Sequence, residues 1–137
     1  MNLQKLRLGQ LKPADGATTV GDVHFPKVKL LLPFDGSNGA TSTADSSSMG
    51  NAITFNGNAQ ISTSQSKFGS SSAYFDGTGD YIDAGGSSLR SACDSGDFAL
   101  EFWFYRDSRP DYASLITNYG TGNGGWAVYI NSGSPQQ

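Results

Sequence analysis

The chain is poor in the side chains on which most catalytic and metal sites depend. Its 137 residues include one cysteine, Cys93, one histidine, His24, and one glutamate, Glu101. A lone cysteine excludes an intrachain disulfide and a zinc site built from thiolates. A lone histidine leaves a catalytic triad or a histidine metal cage with at most one member.

Long hydrophobic runs are also missing. The runs that begin at Leu30 and at Trp126 are among the longest apolar stretches, and at no more than five residues each they fall far short of the roughly 20 residues that cross a bilayer. The N-terminus has basic residues but no apolar segment behind them, so no secretory signal is predicted. We therefore expect no membrane insertion.

Charge is scarce as well. Charged residues make up 15% of the chain and the formal net charge is only -3, whereas 8 Phe, 6 Tyr and 2 Trp accompany 18 glycines. Disordered chains are aromatic-poor and strongly charged, so disorder is not expected. Many glycines and aromatics are typical of short strands joined by tight turns. The composition predicts one globular all-β domain.

The few charges are unevenly distributed. Residues 1–29 contain five basic and two acidic residues, whereas residues 30–137 contain four basic and ten acidic ones. We predict an N-terminal anchoring arm over residues 1–27 and a domain over residues 28–137. The arm either docks on an acidic or polymeric partner or is a solvated terminus. The acidic domain is not expected to bind nucleic acid, because it would repel phosphates.

Leu6 and Leu8 alternate with Arg7 as in a strand, whereas Leu3 and Leu6 lie one helical turn apart, so the four leucines together fit neither period well. Gly9, Pro13 and Gly16 would interrupt either element. So few apolar residues cannot offset roughly 1–2 kcal/mol of backbone entropy per ordered residue. We expect the arm to become ordered only against another protein chain, either copies of itself or a particle shell. The leucines are Leu3, Leu6, Leu8 and Leu11.

Period-two alternation predicts that the strongest strand covers residues 98–106. One of its faces is apolar and the other is amphipathic and aromatic. One of the two faces must therefore be less buried or face a neighbouring chain. The faces consist of Phe98, Leu100, Phe102 and Phe104 on one side and of Glu101, Trp103 and Tyr105 on the other.

Weaker patterns predict further strands. An opening strand is expected over residues 28–34, at a sheet edge because Pro33 has no N–H. Two hairpins are expected at strong turn signals, and no window predicts a helix. The hairpins join residues 53–55 to 60–62 and residues 73–75 to 81–82, and the last two strands lie at 114–117 and 126–130.

Three motifs follow one another in the chain: LLLPFDG at residues 30–36, KFG at 67–69 with SAYFDGTGDYI at 72–82, and DFALEFWF at 97–104. They resemble the opening strand, central hairpin and hallmark strand of concanavalin A-like, laminin-G-like jelly rolls. NGNAQIS at residues 56–62 is most similar to copies in tail, fibre and decoration proteins of bacteriophages.

The resemblance covers about residues 28–131 and implies an antiparallel two-sheet jelly-roll sandwich. Sandwiches commonly run to roughly 200 residues, and this family continues with more strands after the segment that resembles residues 126–130. We expect the jelly roll to be incomplete at its C-terminus. Either the chain is part of a longer protein, or partner chains complete the sheets, since an open edge invites aggregation.

Catalysis is not expected. Hydrolases of this superfamily use a Glu-x-Asp-x-x-Glu arrangement, because glycoside hydrolysis needs two carboxyl groups a few ångströms apart. Glu101 has no acidic residue two or five positions further on. Asp107 lies six positions further, roughly 20 Å along an extended strand.

Calcium is a candidate cofactor, because related jelly rolls often hold it and hard cations prefer oxygen ligands from loops. The candidate ligands are Asp35, Asp76 and Asp80, with Asp45 and Asp83 also beside turns. The same aspartates fit ordinary turn chemistry, in which the carboxylate accepts hydrogen bonds from nearby backbone. Both interpretations stay open.

Jelly rolls hold sugars on aromatic side chains that stack on the apolar faces of pyranoses. The alternative for each aromatic is packing inside the sandwich. The candidate glycan-binding residues are Trp103, Tyr105, Tyr112, Asn118, Tyr119 and Trp126.

The leading hypothesis is a non-enzymatic structural protein of a phage virion, a tail fibre or capsid decoration. Its arm would bind virion proteins, its copies would associate as a homo-oligomer, and its domain would be displayed or bind host surface glycans. The alternative is a carbohydrate-binding module of a secreted bacterial protein.

Overall fold

A computed structural model describes residues 22–94, 96–107, 112–119 and 125–131. The regular structure in this part of the chain is mostly antiparallel strands with little helix, and its ladders form no closed barrel. The elements are a 3-10 turn at Phe25–Lys27, β1 (Thr54–Asn56), β2 (Gln60–Ser62), β3 (Ser72–Tyr74), β4 (Tyr81–Asp83), α1 (Ser87–Asp94), β5 (Tyr112–Tyr119) and β6 (Gly125–Asn131).

The first four strands form one interrupted antiparallel ribbon. β1 pairs with β4, Thr54 lying opposite Asp83, and β2 pairs with β3, Gln60 lying opposite Tyr74. The same two stretches of chain therefore run side by side through both ladders. Between the ladders, residues 57–59 on one side face residues 75–80 on the other.

This pairing corrects both predicted hairpins. The strands occur where they were expected, but β1 does not fold back on β2, nor β3 on β4. The chain reverses instead in the connection over residues 63–71. The turn signals were misleading because their polar side chains bond across the ribbon: Asn58 donates from its backbone N–H to Asp80 at 2.8 Å and from its side chain to Asp76 at 2.8 Å.

Gly57 fits this interruption because it has no side chain. Its φ is +72°, and a Cβ atom there would collide with the Asp80 carboxylate and lie 3.0 Å from the Gly79 carbonyl oxygen. Gly50 has a φ of +57° and no atom within 4 Å of the same position, so it is a matched control.

We expect Gly57→Ala to lower the free energy of unfolding by about 2 kcal/mol, and Gly50→Ala by about 1 kcal/mol through backbone strain alone. Chemical denaturation of both variants measures the difference. Equal losses would contradict a role for the close approach to Asp80.

β5 and β6 form the longest ladder, confirming the strands predicted at residues 114–117 and 126–130. The pairing runs from Tyr112 opposite Asn131 to Tyr119 opposite Gly125, with a register shift between Ser114 and Ile116. The alternation predicted these two strands correctly because both are rich in β-branched and aromatic residues.

The strand predicted over residues 98–106 forms no ladder within the described part of the chain. The strand predicted over residues 28–34 also forms no ladder among the described residues. Pro33 lacks an N–H, and Phe34 has a φ of +53°. The helix α1 was not predicted. α1 was missed because its eight residues are too few for helical periodicity, although Leu89, Ala92 and half-buried Cys93 repeat at its spacing.

The small core of the described chain lies where residues 34–40 cross β2. Ile61 and Ala59 are its buried apolar residues. The backbone of Ile61 donates to the Ala40 carbonyl at 2.7 Å and accepts from the Gly39 N–H at 2.8 Å. Buried Ser71 accepts from the Gly36 N–H and donates to the Phe34 carbonyl, which attaches this crossing segment to the connection before β3.

Candidate functional site

The connection over residues 63–71 brings two side chains against Trp103. The Phe68 and Trp103 rings meet edge to face, with centroids 5.9 Å apart and an interplanar angle of 77°. The Lys67 ammonium lies 4.6 Å from the centroid of the Trp103 ring. Phe68 is 66% exposed and Trp103 is 62% exposed. We call Lys67, Phe68 and Trp103 the Trp103 surface.

Gly69 allows this connection to pass close to Asp35. Its φ is +72°, and a Cβ atom there would collide with the Asp35 carboxylate, so a larger residue would push the connection away. Asp35 therefore lies beneath the segment that presents Lys67 and Phe68.

The Trp103 surface combines an open aromatic ring with a cation. A ring face of this kind stacks on the C–H face of a sugar, and an ammonium donates up to three hydrogen bonds to hydroxyl or carboxylate oxygens. The Lys67–Trp103 contact also restrains both side chains, since a cation over an indole is attracted by the ring quadrupole.

The predicted aromatic residues divide into two groups. Tyr105 is 70% exposed, and strand alternation predicts that it shares a face with Trp103. Trp126 lies on β6 opposite Asn118 of β5 and stacks on Phe98, with centroids 5.1 Å apart and an interplanar angle of 24°. This stack is the kind of contact that the packing alternative predicts for Trp126. The side chains of Tyr112 and Tyr119 lie outside the described residues.

Trp126 has one further feature. Its Nε1 atom is buried and has no hydrogen-bond partner within the described residues. A buried indole N–H usually finds a partner, so this atom marks a place where an additional acceptor is expected.

Two of the three calcium candidates are brought together. Asp76 accepts from the Thr78 N–H at 2.7 Å and from the Asn58 side chain, and Asp80 accepts from the N–H groups of Asp76 and Asn58 at 2.8 Å. The Asn58 side chain contributes most to lowering the pKa of Asp76, and the Thr78 N–H adds to it. The bonds from the Thr78 and Asp76 N–H groups are local turn interactions, whereas those from Asn58 cross the ribbon. Asp35 lies elsewhere, against Gly69.

Asp45 is the most heavily bonded carboxylate. Its Oδ1 accepts from the N–H groups of Leu31 and Ser47, both at 2.9 Å. Its Oδ2 accepts from the Ser47 hydroxyl at 2.8 Å and from the backbone and side-chain amides of Asn51 at 2.8 and 2.7 Å. Partial burial raises the pKa of Asp45, but these bonds outweigh it and hold the pKa well below its usual range.

The Asp45 bonds order the loop over residues 42–51. Asp45 also holds residues 29–31, because it accepts from the Leu31 N–H. The Asn51 side chain, which donates to Asp45, also donates to the Lys29 carbonyl at 2.7 Å. Asp45 therefore acts as a structural anchor for these two segments.

Within the described ranges, no three His, Cys, Asp or Glu side chains are grouped to hold a metal ion. No helix in those ranges is long and apolar enough to cross a membrane. No family model, curated protein or solved structure matches the chain.

Proposed function

We propose that the chain is a non-enzymatic structural protein of a bacteriophage particle, a fibre or decoration component. Its domain is a concanavalin A-like jelly roll, its arm anchors it to other chains, and the Trp103 surface binds glycans. The motif resemblance supports the assignment to a phage particle. The resemblance and the antiparallel ladders together support the proposed fold. The observation that carries the binding function is the exposed Trp103 ring beside Lys67 and Phe68.

Exposure is the decisive property of this surface. Burying an aromatic side chain contributes more than almost any other apolar burial, so a tryptophan left largely open is unusual in a folded domain. A sugar that stacked on Trp103 would cover the ring while its hydroxyls remained hydrated or bonded to Lys67. The surface therefore favours a carbohydrate over a purely apolar ligand.

We expect Trp103→Ala to weaken binding to immobilised polysaccharides by roughly two- to tenfold, because one aromatic stacking contact contributes on the order of 0.5–1.5 kcal/mol. Titration against a panel of neutral hexose and uronate-containing polysaccharides measures the change. Tyr81→Ala removes another exposed ring outside the Trp103 surface and is the matched control.

Lys67→Gln tests the cation in the same titration. It is expected to weaken binding to uronate polymers more than to neutral ones, because only the former carry carboxylates. Equal binding by wild type, Trp103→Ala and Tyr81→Ala across the panel would contradict a glycan site at Trp103.

Mass spectrometry of purified particles tests the proposed location. Stoichiometric recovery of the chain together with capsid and tail proteins supports a virion component. Recovery from culture medium, fused to a catalytic domain and absent from particles, would overturn it in favour of the carbohydrate-binding module of a secreted protein.

A further inference from the structure

Residues 98–106 have the sequence of a strand, but no strand in the described part of the chain pairs with them. No backbone hydrogen bond joins them to the rest of the described chain. Their side chains are all exposed to a substantial degree, including Leu100 at 43% and Phe104 at 57%. An alternating apolar segment whose N–H and C=O groups pair with no other described strand is a template for the addition of another strand.

The two predicted faces of this segment differ in their surroundings. Phe102 and Phe104 lie near each other, with centroids 6.2 Å apart, and Phe98 stacks on Trp126 of β6. Trp103 and Tyr105, on the alternate positions, are more exposed than any of these phenylalanines. Each face therefore touches the domain, Phe98 at Trp126 and Trp103 at Lys67 and Phe68. The backbone edge of the segment has no ladder partner among the described residues.

The arm has the complementary pattern. In strand conformation, Leu6 and Leu8 fall on one face and Lys5 and Arg7 on the other. The leucines match the phenylalanine face of residues 98–106. The two cations match the other face, which carries Glu101 and the rings of Trp103 and Tyr105.

Charge favours the same pairing over a wider stretch. Residues 97–107 contain three acidic groups, Asp97, Glu101 and Asp107, against one basic group, Arg106. Residues 1–12 contain three basic groups and no acidic one. Two copies of residues 97–107 would repel each other across a ladder, whereas the arm would be attracted.

We propose that residues 4–8 of a second copy add as a strand to residues 98–106, so that each arm joins one copy to the next. This inference depends on the proposed function, in which the arm is an intermolecular anchor, and it names the surface that the anchor binds. The added strand lies at the edge and leaves the Trp103 side chain on its own face.

Hydrogen exchange of the full chain, followed by mass spectrometry at two concentrations about a hundredfold apart, tests the proposal. We expect the amides of residues 98–106 to exchange at least about tenfold more slowly at the higher concentration. The amides of residues 4–8 are expected to gain protection in parallel, because both sides of a ladder are protected together.

Leu6→Asp with Leu8→Asp is expected to abolish this protection. Leu3→Asp with Leu11→Asp adds the same charge outside residues 4–8 and is expected to preserve it. Phe104→Asp probes the acceptor side and is expected to act like the Leu6 and Leu8 change. Unaltered exchange over β5 and β6 shows that each variant is folded.

Protection that does not depend on concentration, or that survives Leu6→Asp with Leu8→Asp, would overturn the proposal. The first result would place the arm on its own chain, and the second would assign the surface to another occupant. If the chain enters particles but shows no such protection, the pairing of residues 4–8 with residues 98–106 is wrong and the proposed function stands. A chain that self-associates as expected but is absent from particles overturns the proposed function instead.

Discussion

Deletion of residues 1–27 is expected to abolish incorporation of the protein into particles while leaving the domain folded. The hydrogen bonds of residues 22–27 are local: Phe25 donates to the Asp22 carbonyl, Lys27 to the His24 carbonyl and the His24 N–H to the Asp22 carboxylate. Side chains in this stretch are exposed, including Val23 at 68%. The domain therefore loses no long-range hydrogen bond that these residues make.

The measurement is the copy number of the truncated protein in particles purified after complementation. One variant replaces Lys5, Arg7 and Lys12 by Gln, and another replaces the arm leucines by Gln. Comparing the two separates the contribution of charge to incorporation from that of apolar contacts. Thermal unfolding of the truncated protein checks that the domain survives. Normal copy number in the truncated protein would show that the domain itself makes the attachment.

Asp45→Asn is expected to lower the free energy of unfolding at pH 7 by about 3 kcal/mol, because hydrogen bonds to a charged group contribute roughly 1.5–3 kcal/mol each and five converge here. The Asn side chain has the same shape but replaces one acceptor oxygen by an NH₂ group that opposes the donors. Asp97→Asn removes an exposed carboxylate and is expected to change stability by less than about 0.5 kcal/mol.

The pH dependence of this difference follows from the lowered pKa of Asp45. The stabilisation is fully present above the ordinary aspartate pKa of about 3.9 and is lost as the pH falls towards the folded-state value. The gap between wild type and Asp45→Asn should therefore narrow by about 1.4 kcal/mol per pH unit below about pH 4. Asp76 has a lowered pKa in both proteins and cancels in the comparison.

Denaturant titrations from pH 7 to pH 3 measure this gap. A gap that stays constant over the range would mean that Asn51 and Ser47 stabilise the loop without help from the Asp45 charge. The Asp97→Asn protein, treated in the same way, is expected to follow the wild-type curve.

The sequence predicted the positions of the strands better than their partners. Alternation is a local property, and it located β5 and β6 correctly. Pairing in the ribbon depends on where the chain reverses. Asn58 donates hydrogen bonds to Asp76 and Asp80 across the ribbon, so its turn signal did not mark a reversal of the chain. Residues 98–106 show the converse: a strand pattern needs an available partner as well as alternation.

The candidate site was predicted in part. Trp103 and Tyr105 were identified because alternation separated them from the phenylalanines of the same segment. Lys67 and Phe68 were not, because they precede Trp103 by more than 30 positions and only the reversal over residues 63–71 brings them together. A lysine followed by an aromatic residue beside Gly69, in an otherwise polar connection, was the signal available in the sequence.

The interrupted ribbon also sets an order of folding. Joining β2 to β3 closes only the short connection over residues 63–71, whereas joining β1 to β4 first would close a much longer loop at greater entropic cost. Local contacts of this kind favour early formation, so the ribbon is expected to zip outward from the connection. Within the ribbon, the segment that carries Lys67 and Phe68 is then expected to close first, and substitutions of these two residues are expected to change the folding rate.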